Sequence, residues 1–123
     1  MARPVHFELP VEDQARAADF YAKVFGWDIQ QWEGAPYWLA TTGPDTEAGI
    51  NGAFGRKSAD LPVPVFVIEV PDIEAALKSV EEAGAAIVHP KSPIPGVGYS
   101  AYFTDTEGNR LGLFETDESA VIE

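Results

Sequence analysis

Three side chains in this sequence have the types and spacing to do chemistry together. His6 and Glu8 lie two residues apart in VHFELP, a run that alternates apolar and polar positions. Alternation of period two puts both on one face of a strand. Glu69 closes a second run, VFVIE, and shares a face there with Val65 and Val67. One imidazole with two carboxylates can act as general acid and base in a partly buried cleft. The same trio is a legitimate donor set for a metal ion. The structural alternative is a strand histidine bonded to a neighbour, with Glu8 and Glu69 as solvated charges at a sheet rim. The chain has 20 acidic residues, so two carboxylates meeting is weak evidence by itself.

Aromatic side chains are the other candidates. Tyr37, Trp38, Tyr99 and Tyr102 fall in β-type runs, and Phe114 shares a strand face with Gly112. Flat rings along a cleft would suit a planar or apolar ligand. Core or dimer packing is the commoner fate of such rings, and parity leaves open which of each neighbouring pair turns inward. His89 precedes a proline-rich stretch and is expected to be exposed.

The elements that position these residues come as a repeat. Shifting the chain by about 59 residues aligns VHFELPVEDQARAADFYAKVFG with PVFVIEVPDIEAALKSVEEAG. Each copy reads as a strand, a proline-containing break, an aspartate and a helix that stops at glycine. Asp13 and Asp72 are the expected N-caps, and Gly26 and Gly84 the stops. The second helix carries Ile73, Ala76, Leu77, Val80 and Ala83 as one apolar stripe. The first carries Ala17, Tyr21 and Val24, with Phe20 and Phe25 beside them. Strands are expected near 28–33, 36–42 and 48–55, and again near 86–89, 98–104 and 110–115. Gly108-Asn109 marks a hairpin turn. The stretch 90–97, PKSPIPGV, is expected to be a loop, since its prolines bar a central strand.

The helix side of each first strand follows from parity. Phe7 and Leu9 face one helix, and Phe66 and Ile68 the other. The repeat pairs His6 with Val65 and Glu8 with Val67. Pro62 and Pro64 mark the junction. The expected organisation is one domain over 1–123, with module one about 3–55, module two about 63–116 and an acidic tail, 117–123. The two halves are too small to stand alone and are expected to share a core.

Composition excludes several function classes. The net charge of -12 repels phosphate backbones and anionic lipid, and no basic run offsets it, so neither nucleic acid nor a membrane is an expected partner. The chain has no cysteine, which removes disulfides, thiol nucleophiles and thiolate metal sites. Without a signal-like or spanning segment, the default location is the cytoplasm. Dinucleotide, phosphate-loop, nucleophile-elbow and H-E-x-x-H motifs are missing.

VHFELPVEDQARAADFYAKVFGW resembles the opening of a vicinal-oxygen-chelate protein, the superfamily of glyoxalases, bleomycin-resistance proteins and extradiol dioxygenases. VIEVPDIEAALKSVEEAGAAIV followed by YFTDTEGNRLGLFE resembles its second half, and together the match covers residues 4–116. The resemblance implies an α+β fold: two βαβββ modules whose mixed sheet curls around a U-shaped cleft, usually in a homodimer. Family activities range from glyoxalase, epimerase and dioxygenase chemistry to drug sequestration, so fold does not fix function.

Metal-dependent members of that family take four ligands from inward strand positions. His6 matches the first. The second falls on Asn51 or Gly52, the third on Val65 and the fourth on Gly112, while Glu115 lies on the opposite face by parity. Valine and glycine donate no side-chain lone pair, so the family-type divalent metal is not expected. The reading that results is a binder of a small organic molecule. The alternative is a lyase, isomerase or dioxygenase with a relocated metal or a metal-free His6/Glu8/Glu69 acid–base site. A third is an acidic interaction protein with a basic partner.

Overall fold

The computed structural model describes residues 2–32 and 37–121. The elements run β1 (Arg3–Val11), α1 (Gln14–Phe25), β2 (Asp28–Gln31), β3 (Tyr37–Thr41), β4 (Asn51–Arg56), β5 (Val65–Glu69), α2 (Ile73–Glu82), β6 (Ala86–Ile94), β7 (Gly98–Thr104) and β8 (Arg110–Thr116). This is strand, helix and three strands, twice over. The chain forms two compact units, Val5–Val65 and the residues from Phe66 onward together with those before Val5.

In the first unit the strands lie in the order β2-β3-β4-β1. β1 runs parallel to β4, pairing His6 with Asn51 and Glu8 with Ala53. β4 is antiparallel to β3, and β3 to β2. In the second unit the order is β5-β8-β7-β6, with β5 parallel to β8 and the rest antiparallel. Each unit therefore has one parallel contact, made between its first and last strands. The intervening helix supplies the long crossover that such a contact requires.

Both helices start and stop as the sequence dictates. The Asp13 carboxylate accepts from the Arg16 amide at 3.0 Å, and Asp72 from the Ala75 amide at 3.1 Å. Each such cap is worth about 1 kcal/mol. Gly26 (φ 75°) donates its amide to Ala22, and Gly84 (φ 92°) follows α2 in the left-handed region that glycine enters without penalty.

Burial under the helices is unequal. Ile73 and Leu77 of α2 are buried with Val70, Ala101, Phe103 and Leu113, and Ile68, Val80 and Leu111 pack against that cluster. α1 has no fully buried residue. Its covered positions are Gln14, Ala17, Ala18 and Tyr21, a stripe rotated away from the expected one. Val24 is 54% exposed, Phe25 61%. Tyr21 holds the helix down, stacking on Trp27 at 5.0 Å and meeting Phe54 at 5.4 Å, while Phe7 lies 5.6 Å from Trp27.

Two further expectations are corrected. The stretch 90–97 is strand as far as Ile94. Pro90 and Pro93 are tolerated because β6 ends the strand order and its register shifts twice, on either side of His89. The third strand of the first half begins at Asn51 rather than near 48. The acidic segment after β8 is pinned: Gly96 donates to the Ala120 carbonyl at 2.9 Å, Asp117 donates to Val97 at 3.0 Å, and Ala120 is buried.

Candidate functional site

Strand register answers what parity left open. Opposite residues of a pair share a face, so β1, β4 and β3 can be sorted together. Phe7, Gly52 and Phe54 take the α1 side; a Cβ added at Gly52 would collide with the Phe7 ring. Trp38 is opposite Phe54 and Ala40 opposite Gly52, so Trp38 belongs to the α1 side as well. Its indole Nε1 is buried there with no hydrogen-bond partner. Tyr37 pairs with Gly55 and falls on the other face, with His6 and Glu8.

That face carries a hydrogen-bonded chain. The Tyr37 hydroxyl donates to Glu8 Oε2 at 3.0 Å. His6 Nε2 lies 3.3 Å from the same hydroxyl oxygen. Glu8 is 6% exposed, the one buried charged side chain among the described residues. A carboxylate this far from water must be compensated, and a hydrogen bond to it is worth about 1.5–3 kcal/mol. The Tyr37 ring is braced edge-on by Trp32, whose amide donates to the Tyr37 carbonyl at 3.0 Å. Burial holds the His6 pKa below its ordinary value, and the Glu8 charge, which works the other way, does not overcome it. The imidazole is therefore neutral near pH 7. The arrangement can bind a polar group, and its imidazole can accept a proton.

The second unit sorts in the same way. Tyr99, Ala101 and Phe103 of β7, opposite Glu115, Leu113 and Leu111, take the α2 side. Tyr99 packs against the helix-side core, under the Lys91 ammonium at 4.2 Å. Tyr102 and Phe114 take the other face, where Tyr102 stands over Gly112 beside Val67. His89 pairs with Tyr102 in register, 6.3 Å between ring centres, and its Nε2 lies 2.9 Å from Ser92 Oγ. It is half-buried, not exposed as the proline-rich flank suggested. Glu69 accepts from the Thr116 hydroxyl at 2.8 Å. Of the five aromatic candidates, Tyr37, Tyr102 and Phe114 thus face away from the helices, and Trp38 and Tyr99 face toward them.

The residues at the family's metal positions do not fit a metal. The second position resolves to Asn51, opposite His6, but Asn51 Oδ1 accepts from the Thr42 amide at 2.9 Å and from the Thr42 hydroxyl at 3.3 Å. His6 Nε2 is engaged by Tyr37. Val65 and Gly112 offer no donor. Glu115 accepts from the Ile73 amide at 2.9 Å, closing the N-terminus of α2 on the helix side. Among the described residues no three His, Asp or Glu side chains gather where they could hold an ion.

Sequence reasoning named Tyr37 for its ring and missed its hydroxyl. The alternation of β1 identified His6 and Glu8, but the partner that joins them comes from a strand 29 residues away, and only register reveals it.

A family model, Glyoxalase/Bleomycin resistance protein/Dioxygenase superfamily, matches residues 3–113. "Putative glyoxylase CFP32" of Mycobacterium tuberculosis and of Mycobacterium bovis is 27% identical over 120 residues, 93% of this chain and 46% of that protein. The chain thus spans about half the length of those curated relatives. A superfamily member from Vibrio splendidus superposes with TM-score 0.66 at 18% identity, over 95% of this chain and all of that one. A methylmalonyl-CoA epimerase in complex with methylmalonyl-CoA and NH4+ gives 0.64 at 14%, over 99% of each. At such identities the structures show the fold, which is glyoxalase-like: α+β, two βαβββ modules.

Proposed function

We propose that this chain, which belongs to the Glyoxalase/Bleomycin resistance protein/Dioxygenase superfamily, binds a small organic molecule on the sheet face that carries His6, Tyr37 and Glu8. One observation carries the reading: a buried carboxylate, a tyrosine hydroxyl and a neutral imidazole joined in a chain on a strand face. Core packing alone does not call for such a chain, since apolar side chains would fill the space at lower desolvation cost. A protein of similar fold, a methylmalonyl-CoA epimerase, is in complex with methylmalonyl-CoA, a small molecule. The family's usual metal has no part in this reading, because its positions hold Asn51, Val65 and Gly112.

A panel of metabolites and planar drugs, screened by tryptophan fluorescence and calorimetry, tests it. A micromolar ligand is expected, with affinity reduced about tenfold or more by His6→Ala; each tenfold loss is 1.4 kcal/mol. A ligand bound equally well by His6→Ala and Tyr37→Phe overturns the assignment. A second reading, metal-free acid–base catalysis, is favoured by the same neutral imidazole, which can take a proton from a bound substrate. Turnover of a bound ligand, abolished by His6→Ala in chelator-treated protein, would establish it.

The partner we propose for the chain itself is a second copy. Phe20, Val24 and Phe25 stand exposed along α1, and covering them would remove apolar surface from water. Sedimentation of wild type against Phe25→Ser reads this directly.

A further inference from the structure

The hydrogen-bond chain fixes where the imidazole's proton sits. A tyrosine hydroxyl has one proton, and Tyr37 gives it to Glu8 Oε2 at 3.0 Å. Toward His6 that oxygen offers only lone pairs. The 3.3 Å contact from His6 Nε2 is then a hydrogen bond only if Nε2 carries a hydrogen. A neutral imidazole with its proton on Nε2 has its lone pair on Nδ1. Among the described residues, Nδ1 of His6 makes no hydrogen bond, and the ring is half-buried. That nitrogen is not among the fully buried polar atoms, so water reaches it, and a ligand that displaces the water must bring a donor of its own.

We infer that the Glu8–Tyr37 pair locks His6 as the Nε2–H tautomer and aims its Nδ1 lone pair at the ligand, so that the site selects molecules presenting an N–H or O–H donor. The ligand class rests on the binding reading above; the tautomer does not. Tyr37 is a positioning residue here, acting through the imidazole. The neutral state of the ring agrees with this, since the phenol already serves Glu8 as its hydrogen-bond donor and no imidazolium proton is needed there.

Long-range proton–nitrogen NMR of the histidine side chains in the ligand-free chain near neutral pH is the first arm. His6 is expected to show a protonated Nε2 and an unprotonated Nδ1. A protonated Nδ1, or an equal mixture, overturns the inference whatever binds. In Tyr37→Phe the ring stays and the hydroxyl goes, so His6 should move toward a tautomer mixture. An unchanged His6 spectrum in a folded Tyr37→Phe overturns the role of Tyr37. Phenol and anisole, alike but for the hydroxyl donor, form the last arm. Phenol is expected to shift His6 Nδ1 upfield, and anisole to leave it. Equal responses, or none, overturn the ligand class. An intact tautomer with no binder in the metabolite panel would sink the binding reading alone.

Discussion

The two halves of the molecule start their helices alike and pack them differently. Asp13 and Asp72 cap in the same geometry, and a left-handed glycine follows each helix. Yet α2 buries Ile73 and Leu77 in a cluster of aliphatic and aromatic side chains, while α1 buries nothing fully. The strand faces differ as well. Where the first half has His6 and Glu8 bonded through Tyr37, the second has Val65 and Val67, with Tyr102 over Gly112. The two copies share a capping code and differ in what their strand faces carry: a hydrogen-bonded polar chain on one, aliphatic packing on the other. Capping is local and survives such division, whereas core filling and site chemistry depend on which side chains meet across strands.

The largest expected effect separates the two helices. Ile73 is fully buried, so Ile73→Ala should cost about 2–5 kcal/mol, measured from the urea midpoint. Val24, over half exposed, should cost at most about 0.5 kcal/mol as alanine at monomer concentrations. Equal costs would break the contrast between the helices. A smaller effect compares glycines. Gly52→Ala drives a methyl into the Phe7 ring, which is already pinned by Trp27, and should cost about 1–3 kcal/mol. At Gly112 the nearest atom to an added Cβ is a Val67 methyl at 3.1 Å, and a few tenths of an ångström of give suffices. Gly112→Ala should therefore be the milder of the two by the same measurement.

Much of this was legible in the sequence because it is local. The repeat, both caps, both glycine stops and the His6/Glu8 face all follow from spacing alone. The α1 stripe departs from its spacing: Val24 sits at a core-facing interval yet is more than half exposed, while the half-buried Gln14 has the right place and the wrong polarity. The sequence suggests a loop through Pro90 and Pro93 because periodicity cannot tell that a strand will lie at the end of the order, where missing amide donors cost little. Tyr37 and Trp38 are equivalent in one dimension; only the pairing of β3 with β4 separates them. The Tyr37 bridge depends on that register and has no trace in local sequence.

The smallest effect tests the polar half on its own ground. His6 titrates below its ordinary value of 6.5 because burial disfavours the imidazolium. The folded chain then binds fewer protons at this site than the unfolded chain does. Stability should accordingly be complete above about pH 6.5, fall as pH drops toward the lowered native value, and level off below it. Among the described residues of its own unit, Tyr37 and Glu8 are the titratable groups that meet the ring; an ionised Glu8 opposes the shift and so limits the size of the fall. His6→Asn removes the titration and should flatten the stability profile between pH 6.5 and the onset of carboxylate protonation. The matching position in the other half, Val65, has no proton to exchange, so the difference between the wild-type and His6→Asn profiles isolates the first module. If that difference is zero, or if stability rises as pH falls through this window, the imidazole is not held neutral by burial, and the contrast between a polar and an aliphatic strand face loses its electrostatic basis.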